Sequence, residues 1–156
     1  MKSLLAKTLR FLAFGAIGIF LFPAPSHAWM RWEGSGGWGP DSSYRHLFNP
    51  ATVETVEGSV VRIMKFIPER GMHYGVHLAL KTSKGLVDIH LGPEWYLANQ
   101  DMKISLNDHI SVKGSAINFD GKPVIIAETV TKDDETLLLR DPDGYPEWAG
   151  WRRHHP

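Results

Sequence analysis

The sequence predicts a mainly β protein, a small barrel of five strands with one short helix after the third strand. Apolar and β-branched residues recur with a period of two in short segments between residues 52 and 131. Turn residues separate these segments, and the Gly92-Pro93 break is followed by a short run suited to a helix. A β-sandwich is the rival architecture, but it usually needs about seven strands, and the sequence offers five or six.

The first 28 residues have the three parts of a secretory signal peptide. Basic residues within 2–10 precede an apolar run at 11–22, and Ser26 and Ala28 are small residues at the positions that a signal peptidase reads. The alternative is a retained anchor, but the apolar run is shorter than the roughly 20 residues of a spanning helix. We therefore expect cleavage before Trp29, a periplasmic or secreted protein, and no membrane span after cleavage.

The mature chain divides into three parts. Residues 29–50 form an irregular Trp-rich arm, residues 51–140 the barrel, and residues 141–156 an irregular tail rich in Trp, Arg and His. The signal peptide holds three of the 17 Lys and Arg, so 14 remain against 17 Asp and Glu. This acidic balance argues against nucleic acid as a partner, and the absence of Cys excludes thiolate catalysis, cysteine metal sites and covalent haem attachment.

Each predicted element follows from its own pattern. Gly58 in the long first strand indicates a bulge or a sharp bend, and the second and third strands alternate cleanly around a tight turn. The elements in order are strands at 52–66, 73–81 and 86–91, a helix at 93–100, strands within 105–117 and at 123–131, and a segment at 135–140 that extends the last strand or turns along it.

Three segments carry a resemblance to a known fold. Residues 56–61 open the domain, residues 121–127 resemble the start of a fifth strand, and residues 106–114 resemble the xGDxVxVxG start of the fourth strand of many OB-fold barrels, with Asn107 replacing the usual Gly. Over about residues 52–132 the chain resembles small periplasmic bacterial OB-fold proteins. The resemblance implies an OB-fold and a ligand-binding or accessory role, and its motifs are specific to the fold.

Three histidines form the most specific group of candidate ligands. By period, His73 and His77 lie on the outward face of the second strand and His90 on that of the third. This outer face commonly binds ligands in OB-folds, so His77, His90 and His73 are a candidate site for a divalent metal ion or haem. Asp88 could add a ligand or pair with Lys81. Because zinc sites usually have three or four ligands, exposed histidines without a ligand are the simpler interpretation.

The loop between the second and third strands decides how the histidines meet. A two-residue loop at 83–84 pairs His77 directly with His90, whereas a loop at 84–85 pairs Ala79 with His90 and leaves His77 diagonal to it. Both registers keep the two imidazoles within reach of one ion.

The Trp residues of the two irregular ends allow three interpretations. In the first, they cap the open ends of the barrel. In the second, they bind a partner protein, because Trp and Arg contribute most of the binding energy in protein interfaces. In the third, they stack on bases or sugars. The candidate ligand or partner surface comprises Trp148, Trp151, Arg152, Arg153, Trp32 and Trp38.

The function predicted from the sequence is that of a non-enzymatic, exported OB-fold module. The chain lacks a phosphate-binding Gly-rich loop, a His-Glu-x-x-His motif and a Gly-x-Ser-x-Gly motif. We expect the module to bind a protein or a small ligand in the periplasm. The alternative is a metal or haem carrier that uses the histidine group, and a weaker alternative is binding of single-stranded nucleic acid.

Overall fold

The structure, a computed structural model, describes residues 35–150 of the chain, and this part is mainly β. Its elements are two 3₁₀ turns (Arg45–Leu47 and Pro50–Thr52), β1 (Val53–Phe66), β2 (Gly75–Thr82), β3 (Gly85–Pro93), α1 (Glu94–Leu97), β4 (His109–Phe119), β5 (Lys122–Lys132) and β6 (Glu135–Leu138). No helix within the described range has the length and apolar character to cross a membrane. The predicted signal peptide lies outside the described residues.

The strands form the barrel that the sequence predicts. The antiparallel order is β3-β2-β1-β4-β5-β6, and an additional pairing of β3 with β5 closes the sheet. That pairing is parallel and joins residues 88–90 to residues 124–126. A five-stranded barrel closed in this way, with a helix between its third and fourth strands, is an OB-fold. Of the two alternatives for the segment at 135–140, the structure shows the second, because β6 turns back along β5.

The long first strand bends because it serves both sides of the barrel. Residues 53–59 pair with β4, residues 59–66 pair with β2, and the register shifts between Val60 and Arg62. The position of Gly58 suggests a bulge, but the register shifts elsewhere, between Val60 and Arg62. Gly58 has a different role. A Cβ at Gly58 would lie 2.5 Å from the Lys81 carbonyl oxygen, so glycine allows β1 and β2 to approach closely where the strand turns.

The barrel interior is filled by one face of each strand. Leu78 and Leu80 of β2 and Ile89 of β3 are fully buried, as are Ile110 and Val112 of β4. These are the inward positions that the period-two pattern predicts, and burial of each such side chain contributes roughly 1.5–3 kcal/mol to stability.

The helix after β3 is shorter than the sequence predicts. It covers Glu94–Leu97 instead of 93–100, with Pro93 at its N-cap position. Its Tyr96 is buried, and Trp95 and Leu97 pack against the core. The helix therefore covers one end of the barrel only in part.

Candidate functional site

The outer face of β2 and β3 is covered by residues from both irregular ends of the chain. The Trp38 ring occupies the space beside Gly75, and the Trp148 ring lies where a Cβ at Gly92 would approach it to 2.7 Å. The Trp148 Nε1–H donates to the Trp38 carbonyl at 2.7 Å, and the two rings meet edge to face at 6.1 Å. The arm and the tail thus form a second apolar layer outside the barrel.

Trp38 and Trp148, two residues of the candidate ligand or partner surface, are buried in the structure. Their exposed fractions are only 2% and 4%, because each ring fills a space that a strand glycine leaves open. Both rings lie against the outer face of β2 and β3, whereas the capping interpretation places them at the open ends of the barrel. Trp32, Trp151, Arg152 and Arg153 lie outside the described residues, and their part in a partner surface stays a prediction.

His90 lies within this second layer and is buried. Its exposed fraction is 3%, the Tyr44 hydroxyl lies 2.8 Å from its Nδ1, and its ring is 4.2 Å from that of Phe66 and 5.0 Å from that of Phe119. Periodicity places His90 on the correct face of β3, but the expected exposure is wrong because the arm covers that face. Burial is the main cause that lowers the pKa of His90 to about 3, assisted by His77 and Arg140.

The register of the β2–β3 hairpin is the one that a loop at 83–84 predicts. His77 pairs directly with His90, and the two ring centroids are 5.2 Å apart. The Asp88 carboxylate lies 3.1 Å from His77 Nε2, but that nitrogen makes no hydrogen bond of good geometry. Asp88 therefore pairs with His77, and more loosely with Arg62 at 4.0 Å, and not with Lys81.

His73 is separated from the histidine pair by its role in the arm. Its carbonyl accepts a hydrogen bond from Trp38 Nε1 at 2.9 Å, and its ring lies against Gly36. Among residues 35–150, no three His, Asp or Glu side chains are arranged to hold a metal ion. The metal or haem site at His77, His90 and His73 stays a prediction, and the structure places two of its three residues together.

Arg140 completes the buried layer, and it is not among the residues that the sequence predicts for the site. Its Nη1 donates to the carbonyls of Leu91 in β3 and Ala127 in β5, and its guanidinium lies 4.8 Å from the centre of the Trp148 ring. Desolvation lowers the pKa of Arg140 to about 10, which leaves it a cation at neutral pH. An arginine directly after the apolar run at 137–139 is the only sequence signal that could have pointed to it.

Residues 35–150 leave the α1 end of the barrel uncovered, and this end forms an apolar groove of about 230 Å³. Its walls come from β1, β2, β3, α1, the segment after α1 and β6. The lining residues are Ile63, Val76, Leu78, Leu91, Glu94, Leu97, Ala98, Met102, Lys103, Ile104 and Leu137. Glu94 also borders a second depression beside Ile67 and Tyr74, which are 50% and 53% exposed. The groove and this depression together are the α1-end surface.

The two charged residues at the boundary of the α1-end surface neutralise each other. Lys65 Nζ lies 2.5 Å from Glu94 Oε1, and both side chains remain accessible to solvent. Apart from this pair and Lys103, whose ammonium donates to the carbonyls of Ala98 and Gln100, the groove is lined by apolar side chains. The arrangement is suited to burying apolar groups and offers few free polar anchors.

Comparison with known proteins assigns the family. No curated protein matches the chain. Among solved structures, the Stn1–Ten1 complex of S. pombe is similar, with 16% sequence identity, a TM-score of 0.39, and coverage of 74% of this chain and 87% of that chain. Residues 52–137, more than half of the chain, match the MamS/MamX magnetosome protein family, and the chain therefore belongs to that family.

Proposed function

We propose that this chain is an exported accessory module that has no catalytic role of its own and binds another protein in the periplasm through its α1-end surface. Membership of a magnetosome protein family suggests an accessory, non-enzymatic role. The observation that carries the binding proposal is the apolar groove that the described part of the chain leaves open. The face that OB-folds commonly use is instead filled by Trp38 and Trp148.

The shape of the α1-end surface favours a protein over a small ligand. Small-molecule sites enclose most of the ligand and present a few convergent polar groups. Here the neighbouring depression is bordered by Ile67 and Tyr74, both at least half exposed. Glu94, which borders both the depression and the groove, is already paired with Lys65. Exposed apolar side chains beside an open apolar groove are typical of a protein interaction site.

Export is supported by the pattern of residues 1–28, which has a basic start, an apolar run and small residues before Trp29. We expect the protein in the periplasmic fraction to begin at or near Trp29. Mass spectrometry of the intact protein checks this cleavage, and an uncleaved chain in the membrane fraction would contradict it.

Site-specific photo-crosslinking in magnetosome-forming cells tests the binding surface. A photoreactive amino acid at Ile67 should give a discrete crosslinked species, because Ile67 borders the second depression. The same amino acid at Leu86, which is 68% exposed at the far β2–β3 turn, is the matched control and should not. Equal crosslinking at the two positions, or none at Ile67, would contradict the proposal.

A second candidate function, carriage of a metal ion or haem, has one observation for it, the direct pairing of His77 with His90, and one against it, the burial of His90. Because His90 is buried and bonded to Tyr44, we expect neither Zn²⁺ nor haem to raise the melting temperature in a way that depends on His77. Thermal unfolding of the wild type and of His77→Gln with each ligand checks this. A stabilisation that is lost in His77→Gln would favour the carrier.

A further inference from the structure

Residues 35–48 of the arm, which we name the lid, lie on the outside of the barrel and form no strand with it. The backbone hydrogen bonds within the lid join residues three positions apart and close turns, as between the Leu47 N–H and the Tyr44 carbonyl. Among the residues that the structure describes, one backbone bond joins the lid to the rest of the chain before Asn49, from the His73 N–H to the Gly36 carbonyl at 2.8 Å. Departure of the lid would therefore break no strand pairing of the barrel.

The remaining hydrogen bonds that hold the lid involve side chains. The Trp38 Nε1–H donates to the His73 carbonyl at 2.9 Å, and the Trp38 carbonyl accepts from the Trp148 Nε1–H at 2.7 Å. The Tyr44 hydroxyl lies 2.8 Å from His90 Nδ1. Two further pairs are exposed to solvent, Ser43 with Glu69 and Arg45 with Asp143. The lid is thus held by a small set of side-chain contacts.

The C-terminal end of the lid is fixed to the barrel at Asn49. The Asn49 N–H donates to the Ser115 hydroxyl at 2.9 Å, and the same hydroxyl lies 3.0 Å from Thr52 Oγ1. Val53 then begins β1 opposite Ser115. A change of the backbone torsions just before Asn49 would therefore move the lid and leave β1 in place.

The tail is held in a different way and does not depend on the lid. Arg140 donates to carbonyls of β3 and β5 and lies against the Trp148 ring. The Glu147 N–H donates to the carbonyl of Leu139, which is fully buried, at 3.1 Å. These bonds join the tail directly to the barrel, so the tail can stay in place when the lid leaves.

The interior of the barrel lies on the opposite face of the same strands. The lid contacts the outward positions Gly75 and His90. The inward positions, which alternate with these along β2 and β3, are fully buried at Leu78, Leu80 and Ile89. The barrel therefore keeps its core when the lid is absent from the outer face.

We propose that the lid opens as a unit about a pivot just before Asn49, while the barrel and the tail stay folded. Proteins open in contiguous units whose opening free energies lie below that of global unfolding. Opening uncovers the space beside Gly75 and the pair of His77 and His90, on the face where OB-folds commonly bind ligands. The lid is thus an intramolecular cover of that face, which is distinct from the α1-end surface of the proposed function.

Hydrogen exchange in the purified exported protein, followed by NMR in increasing urea, tests the opening. The probes are four N–H groups at the contacts of the lid, the indole N–H of Trp38 and Trp148 and the backbone N–H of Phe48 and His73. We expect these probes to share one opening constant, at least about tenfold larger than that of the amides in β4 and β5. Their urea dependence should be weaker, because opening exposes less surface than global unfolding.

Two substitutions separate the lid from the barrel. Ile110→Val removes a methyl group from the barrel interior and weakens the closed and open forms alike. The amides of β4 and β5 should therefore exchange about fivefold faster, and the lid probes at an unchanged rate. Tyr44→Phe weakens only the closed form, because it leaves His90 Nδ1 without its partner, and should raise the opening constant about tenfold. His46→Gln, at an exposed position of the lid, is the control and should leave that constant unchanged.

Each contrary result overturns the inference in a recognisable way. Equal opening constants and equal urea dependence of the lid and barrel probes would show that the lid leaves only on global unfolding. Unrelated constants among the four probes would show that the lid does not open as a unit. Equal acceleration of the lid and barrel probes by Ile110→Val, or equal effects of Tyr44→Phe and His46→Gln, would also contradict the proposal.

Discussion

Acidification should destabilise this protein through its buried histidine. His90 has a pKa of about 3 in the folded protein and about 6.5 in the unfolded chain. Burial is the largest cause, His77 on β2 and Arg140 beside the tail act in the same direction, and Asp88 opposes them. Because the folded pKa lies below the unfolded pKa, the stabilising contribution is complete above about pH 6.5 and is lost as the pH falls towards about 3.

The size of the effect follows from proton linkage. At about pH 5 the unfolded imidazole is almost fully protonated and His90 in the folded protein is not, so the free energy of unfolding falls by about 2 kcal/mol. This figure is nearly the same for any folded pKa below about 4, since the folded form then carries almost no proton. Below about pH 3 the loss approaches 5 kcal/mol, which is comparable with the whole stability of a small domain.

Urea unfolding followed by Trp fluorescence at about pH 7.5 and about pH 5 measures this loss. The variant Tyr44→Phe/His90→Phe removes the titrating group and its hydroxyl partner together, so that neither is left buried and unpaired. His109→Gln, at an exposed position, is the control. Between about pH 7.5 and about pH 5, the free energy of unfolding of the wild type and the control should fall by about 2 kcal/mol. That of the double variant should fall markedly less. An equal loss in all three proteins would refute the assignment to His90.

Three substitutions test the packing. Gly92→Ala places a Cβ 2.7 Å from the Trp148 ring. It should therefore lower the free energy of unfolding by about 1–3 kcal/mol and shift Trp emission to longer wavelength. Unchanged emission would show that the ring does not lie there. Leu78→Ala should lower the free energy of unfolding, measured in urea, by about 2–5 kcal/mol. The exposed Leu86→Ala should lower it by less than about 0.5 kcal/mol. Equal losses would contradict the inward placement of Leu78. Arg140→Lys should lower the melting temperature, because a lysine loses the planar contact with Trp148, and an unchanged value would refute this role.

Much of the barrel could be predicted from local pattern, because strand periodicity and turn length are local properties. The turn at Ser83 and Lys84 fixes the register that sets His77 opposite His90, and both follow from residues close together in the chain. The parallel pairing of β3 with β5 joins segments about 35 residues apart, so no local pattern reveals it. It could be expected only through the resemblance to OB-folds.

The burial of the histidine pair could not be predicted in the same way. Period two shows on which face of its own strand His90 lies, but it does not show which distant segment covers that face. Tyr44 is 46 residues from His90, and the Trp148–Trp38 hydrogen bond spans 110 residues. The sequence signal for this covering was a pair of glycines, Gly75 and Gly92, at neighbouring positions of β2 and β3. A glycine inside a strand often marks a close approach by another group.

Those glycines also decide where a partner can bind. Gly75 and Gly92 each lack the Cβ that would collide with an indole ring, so the sheet is shaped to receive Trp38 and Trp148. The two rings share a hydrogen bond, and Arg140 ties the tail to β3 and β5. Exposing the outer face of β2 and β3 would therefore leave a buried histidine, an arginine and two indoles without their partners, at a cost of several kcal/mol. A partner that binds the folded protein at the α1-end surface avoids this cost, because no buried group has to be released there.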